Sequence, residues 1–312
     1  AAALPPRTTS FGRWAERLAE HARSETTLAE RDFWTRAAEV PGAPLPVDLP
    51  GSAGTEGGVR TVTVSLTTEA TRALLQEVPQ AYRTQINDVL LAALVRAFAG
   101  WTGERSLLVD LEGHGREDLF EGVDLTRTVG WFTSIFPVRL EADPAADPGE
   151  TIRSVKEQLR AVPGKGIGYG LLRYLSGDAE LAERLAAAPR AEVAFNYLGQ
   201  WDAGTPGEPL FRMTREPAGP SRAPANPRRH LLEVNAAVGG GELRVSWTYG
   251  TETHREETVR ALAGRYTDAL RELIEHCRSA GAGGYTPSDF PVAGLDQKKL
   301  DRLMGKLTGS RG

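Results

Sequence analysis

The chain has 312 residues, 40% hydrophobic and 25% charged, enough apolar material for one large or two modest packed domains. Its net charge of −4 comes with lysines and arginines scattered rather than striped, which argues against a nucleic-acid partner. A single cysteine, Cys277, excludes an internal disulfide and fits a reducing, cytoplasmic setting, and no apolar run approaches the roughly 18 residues of a membrane span.

The N-terminus lacks both Met and a signal-peptide pattern, and reads as an internal cut through a longer polypeptide. Leu4 to Pro6 is an extended lead-in. Ser10 is placed to cap a helix through Phe11, Trp14, Leu18 and Ala22. A second helix is expected over 27–40. Prolines 41, 44, 46 and 50 and glycines 51, 54, 57 and 58 then predict a mobile linker and the best domain boundary. Residues 60–66 alternate as a strand, and Thr67 or Thr68 caps the helix after it. The broad apolar stripe over 84–100 predicts a core helix ended by Gly100. Residues 106–111 and 132–140 read as strands. Asp147-Pro148 opens a helix as N-cap and first helical residue.

Short helices are expected over 171–176 and 179–187, and a strand over 191–198. Residues 202–229 read as an irregular excursion. The alternation in 232–238 and 243–247 around Gly239-Gly240-Gly241 predicts a hairpin. A long amphipathic helix over 254–278, a turn at 285–290 and a short helix capped by Asp296 complete the chain. The mixture predicts a layered α/β sandwich.

The chemistry concentrates in Val109 to Ser134. An apolar run ends at Leu111, and Glu112, Gly113, His114, Gly115, Arg116 and Glu117 follow with no large apolar side chain. A carboxylate and an imidazole at a strand end suit proton transfer, and desolvation in a poorly hydrated tunnel would make Glu112 a stronger base. A solvated turn with Arg116 paired to Glu117 or a nearby Asp is the plain structural alternative. Other chemistries lack their markers. His21, His114, His230, His254 and His276 are dispersed, so no metal site is expected, and there is no GxSxG. The glycine run Pro163 to Gly170 is preceded by a helix rather than a strand, against a dinucleotide loop.

EGHGRE (112–117), RTVGWFT (127–133), PGKGIGYG (163–170) and FNYLGQ (195–200) occur in this order. They resemble the signature motifs of epimerization domains of nonribosomal peptide synthetases, a branch of the condensation-domain superfamily. The resemblance runs from about Leu4 to Leu295. It implies a chloramphenicol-acetyltransferase-like lobe, one of two. Residues 1–58 would be the last helices of the N-terminal lobe plus a linker, 59–290 the C-terminal lobe, and 291–312 a helical tail.

The implied activity inverts the α-carbon of an aminoacyl or peptidyl thioester. The substrate hangs from the 4′-phosphopantetheine arm of an upstream peptidyl carrier domain, with no directly bound cofactor. The resemblance makes Glu112 a proton-transfer residue and sets Asn196 and Tyr197 beside it in the catalytic group. His114, Trp131, Thr133 and Ser134 become candidate substrate-binding residues. The family's HHxxxDG motif has no counterpart, since the sequence has no adjacent His pair. It would come from the missing N-terminal lobe, and the chain alone would be inactive. A condensation-type, bond-forming domain and a non-catalytic module docking carrier domains or tailoring enzymes are the alternatives. The basic tail could lead to a downstream synthetase; a plain helix is the simpler reading. No membrane partner is expected.

Overall fold

Ser10 accepts a hydrogen bond from the Arg13 amide and caps α1, Phe11–His21. The structure is a computed structural model and describes residues 6–39, 42–51, 54–201, 216, 219–290, 296–300 and 302–303. The expected second helix is two, α2 (Glu25–Leu28, capped by Ser24) and α3 (Arg31–Glu39). β1 (Val59–Ser65) leads into α4 (Thr68–Gln76), capped by Thr67, and α5 (Val78–Tyr82). α6 (Ile86–Thr102) passes through Gly100 and ends at Gly103, whose φ of 79° supplies the left-handed cap.

β2 is Ser106–Gly113, β3 is Ser134–Glu141, and α7 (Pro148–Arg160) is capped by Asp147. α8 (Ile167–Tyr174) starts inside the glycine run, four residues before its expected start. α9 (Ala179–Ala187), β4 (Val193–Gln200), β5 (Leu232–Gly239), β6 (Glu242–Gly250) and α10 (Glu256–Arg278) follow. Asp296 Oδ1 accepts from the Lys299 amide at 2.8 Å, as an N-cap should. The expected tail outside 296–300 and 302–303, residues 202–215 and 217–218 of the expected excursion, and Leu4-Pro5 lie outside the described residues.

The strands bond in the order β1-β6-β5-β4-β2-β3, a mixed α/β fold. The chain packs as two units. One holds Ala1–Gly42, Leu108–Arg139 and Val162–Ala191; the other holds Ala43–Leu107, Leu140–Ala161 and Glu192–Gly312.

In the larger unit, β5 and β6 form the expected hairpin. Gly240 and Gly241, with φ of 61° and 78°, make the two-residue turn. β1 adds antiparallel to β6, and β4 adds parallel to β5. Leu232, Val234, Ala236 and Val238 of β5 and Leu243, Val245, Trp247 and Tyr249 of β6 are buried. Helices cover that face: Trp247 stacks on Phe98 of α6 and meets the edge of Tyr266 of α10. Each such side chain contributes about 1.5–3 kcal/mol by leaving water. Arg160 of α7 forks onto the buried Asp88 of α6 at 3.0 and 2.8 Å, and the Gln85 amide adds a third bond at 2.7 Å.

Over most of its described length the expected linker runs as a strap bonded to the larger unit. Leu45 donates its amide to Glu192 Oε2 at 2.6 Å, and the Asp48 and Leu49 amides both reach the Thr253 carbonyl. Thr55 bridges to Pro227. Prolines forbid helix and strand here, but they leave amides between them free to bond to the domain.

In the smaller unit, Trp14, Leu125 and Ile167 form a core, with Leu18, Leu119, Phe120, Val123 and Phe132 packed around it. Trp34 of α3 packs against Phe136 of β3 and Tyr169 of α8.

Candidate active site

β2 buries Val109, Asp110 and Leu111 and then exposes Glu112. The strand runs two residues past its expected end, so Glu112 belongs to a strand rather than a loop. An extended Gly113 allows this. A Cβ there would lie 2.8 Å from Ser134 Oγ, so its absence lets β3's first side chain approach. The turn comes at Gly115, whose φ is 69°. Any Cβ at Gly115 would overlap the Phe132 carbonyl oxygen.

The side chains after Glu112 are organised by hydrogen bonds. His114 Nδ1 accepts from the Arg116 amide at 3.0 Å, which turns Nε2 toward Glu117 Oε1 at 3.4 Å. The other oxygen of Glu117 is 2.8 Å from Lys165 Nζ. Among the described residues Arg116 does not pair with an acid. It donates to the carbonyls of Leu125 and Thr128 and lies 3.9 Å over the Phe132 ring. That ring is edge-on to Phe11 of α1. Thr133 and Ser134 are half-buried, while Trp131 is 82% exposed.

The glycine run folds as a tight turn, Pro163–Gly166, ahead of α8. Glu30 lies beside it, and a Cβ on Gly168 would overlap its carboxylate. Burial pushes the Glu30 carboxyl up, against the bond from Trp34 Nε1 at 2.9 Å that favours its charged form. Burial likewise pushes the Tyr169 hydroxyl up, and Arg173 donates to it at 3.0 Å.

Asn196 and Tyr197 belong to the larger unit, on β4. They pair in register with Asn235 and Ala236 of β5, and the ladder shifts between Tyr197 and Gln200. Both are half-buried. Burial pushes the Tyr197 hydroxyl up, so at neutral pH it is a hydrogen-bond donor and not a base. Glu112, His114, Trp131, Thr133 and Ser134 all lie in the smaller unit. Among the described residues no group of three or more His, Cys, Asp or Glu is arranged to hold a metal ion. Among them too, no helix is long and apolar enough to cross a membrane.

The family described as Condensation domain matches residues 2–290. The chain belongs to the condensation-domain family. It is 51% identical to a protein of the linear gramicidin synthase of Brevibacillus parabrevis over 97% of its length, which is 4% of that protein. It is 46% identical to chondramide synthase of Chondromyces crocatus over 99% of its length, 8% of that protein. The chain thus spans under a tenth of these relatives.

The solved epimerization domain from the third module of tyrocidine synthetase B is 38% identical, with a TM-score of 0.80, over 88% of this chain and 61% of that one. The condensation domain of the monacolin K polyketide synthase MokA shares the fold at 16% identity and a TM-score of 0.62, over 90% of this chain and 64% of that one. The architecture is therefore the chloramphenicol-acetyltransferase-like one of condensation and epimerization domains.

In this condensation-family chain, sequence reasoning missed Glu30, the Glu117–Lys165 pair and the task of Arg116. Glycines alternating at 164, 166 and 168 were a visible sign that something packs close against that run. Nothing in the sequence named what.

Proposed function

We propose that this chain is part of an epimerization domain acting on a carrier-bound aminoacyl or peptidyl thioester. The observation that carries the reading is Glu112, exposed at the end of a strand whose three preceding side chains are buried. Its likeness to a solved epimerization domain and the four motifs in order support it.

In the proposed reaction the Cα–H bond breaks, and its electron pair enters an enolate-like thioester. Glu112 and a second group on the opposite face divide the tasks of taking that proton and returning another. The developing oxyanion needs a donor, a task we assign to the protonated Tyr197 hydroxyl and the Asn196 amide. His114, Trp131, Thr133 and Ser134 are assigned to the pantetheine arm and the substrate. No cofactor beyond that arm is called for, because the thioester itself acidifies Cα.

The second proton-transfer group is assigned to a His motif outside these 312 residues, because they contain no adjacent His pair. Alone, the chain is expected to be inactive. Its proposed partners are that lobe, the upstream carrier domain and, through the tail, a downstream synthetase. A bond-forming condensation domain is the second reading, favoured by the family match itself.

The test is Cα exchange in deuterated water on an L-aminoacyl carrier protein. It compares this chain, the chain joined to its His-bearing lobe, and the joined form carrying Glu112→Gln. Deuterium and a D/L mixture only in the joined wild type support the proposal. A folded, carrier-binding joined protein that incorporates none sinks it. Peptide formation with a second loaded carrier would instead establish the condensation reading.

A further inference from the structure

The glycine run has no part in the proton transfer just described, yet its lysine occupies a conformation that suits glycine. Gly164, Lys165 and Gly166 have φ of 53°, 52° and 87°. A third glycine would sit there without the steric cost that a side chain brings. Lys165 puts its ammonium 2.8 Å from Glu117 Oε2. Its carbonyl oxygen lies 3.8 Å from where a Cβ of Gly113 would stand. Glu117 is only 9% exposed, so its carboxylate depends on the charges and donors around it. Its second oxygen faces His114, which is anchored in turn by the Arg116 amide. The line Lys165–Glu117–His114 therefore joins the glycine run to the residue two places after Glu112. Residues 114–119 carry no regular secondary structure, and Arg116, bonded to the Leu125 and Thr128 carbonyls, is a second anchor within them.

We infer that Lys165 and Glu117 form a latch that fixes the EGHGRE segment and so the aim of Glu112. Both are positioning residues, since neither is assigned a contact with the reacting carbon. The inference rests on the epimerase reading for its reaction, and on geometry alone for the latch. Lys165 is 77% exposed, so the pair adds little to global stability. A shift of about 1 Å in a catalytic base costs up to about a hundredfold in rate. The latch should therefore show in turnover and in local motion, and hardly in melting.

The experiment uses Lys165→Gly, Lys165→Arg and Glu117→Gln. Amide hydrogen exchange is read on this chain, and Cα deuterium incorporation on the chain joined to its His-bearing lobe. Lys165→Gly should melt no lower than wild type. It should speed amide exchange about tenfold in peptides covering 112–118, and lower turnover about ten- to a hundredfold at unchanged KM for the loaded carrier. Glu117→Gln should do the same, the double variant no more than either single, and Lys165→Arg should stay near wild type. Unchanged amide exchange over 112–118 in Lys165→Gly overturns the latch. Faster amide exchange with unaltered turnover overturns the positioning role. A joined wild type that incorporates no deuterium defeats the functional reading and the positioning role with it, while amide exchange still decides whether the latch exists.

Discussion

Two glycines of the same backbone class separate strain from overlap. Gly115 and Gly122 have φ of 69° and 72°. A methyl at Gly122 meets nothing, whereas one at Gly115 overlaps the Phe132 carbonyl oxygen. Gly122→Ala should cost about 1–2 kcal/mol, the left-handed penalty alone. Gly115→Ala should cost about 3 kcal/mol or more, because overpacking adds to it. Urea denaturation of both variants checks the order.

His254 gives a pH dependence with a definite sign. Its Nε2 is 3.0 Å from the Pro46 carbonyl, and burial pushes the imidazole down, against the pull of that carbonyl, Asp48 and Glu192. The folded state therefore binds the proton less readily than the unfolded one. The neutral ring's contribution is complete above the ordinary imidazole value of about 6.5 and is lost as the pH falls below it. Melting temperature should drop between pH 7 and pH 5, and His254→Gln should flatten that slope.

At the scale of elements, α6 and α7 are joined by a buried charge whose ion-pair partner is the Arg160 fork. Burial pushes the Asp88 carboxyl up, while Arg160 and the Gln85 amide favour its ionised form. Arg160→Leu leaves that carboxylate unpaired and should destabilise the chain by about 3–5 kcal/mol, measured by urea denaturation. Asp88→Asn with Arg160→Leu should recover part of the loss. The cores of elements were legible because their patterns were strong. The interior of α6 is buried almost all round, and β5 alternates without a break. Their ends were less so. Gly100 looked like a stop, yet α6 continues to Thr102, and a glycine on a helix surface needs no left-handed conformation. β2 keeps Glu112 and Gly113 in its ladder although both look like loop residues.

For the whole molecule, each unit draws on three separated stretches of chain. Stability of the larger one should rest on Trp247, which is 0% exposed between α6 and α10. Trp247→Ala should cost about 3–5 kcal/mol. Cys277 of α10 offers a readout, because burial pushes its thiol up to about 11. A thiol reagent should modify it slowly at pH 7.5 and at a free-thiol rate in urea, with the transition moved to lower urea in the Trp247 variant. Faster labelling of native wild type than of the denatured chain would contradict the half-burial of Cys277.

The sequence by itself determined the α/β class, the hairpin, the main caps and the order of four motifs, because periodicity and capping are properties of neighbouring residues. It also shows no adjacent His pair, and for that reason the second proton-transfer group of the proposed reaction is assigned outside it. Only the tertiary structure decided that the proline-rich stretch is a strap, that Arg116 serves carbonyls and an aromatic ring rather than an acid, and that Lys165 reaches Glu117. Each of these depends on groups brought together across many residues of chain, and the partner of a charge or an amide is chosen by the packing of the whole fold.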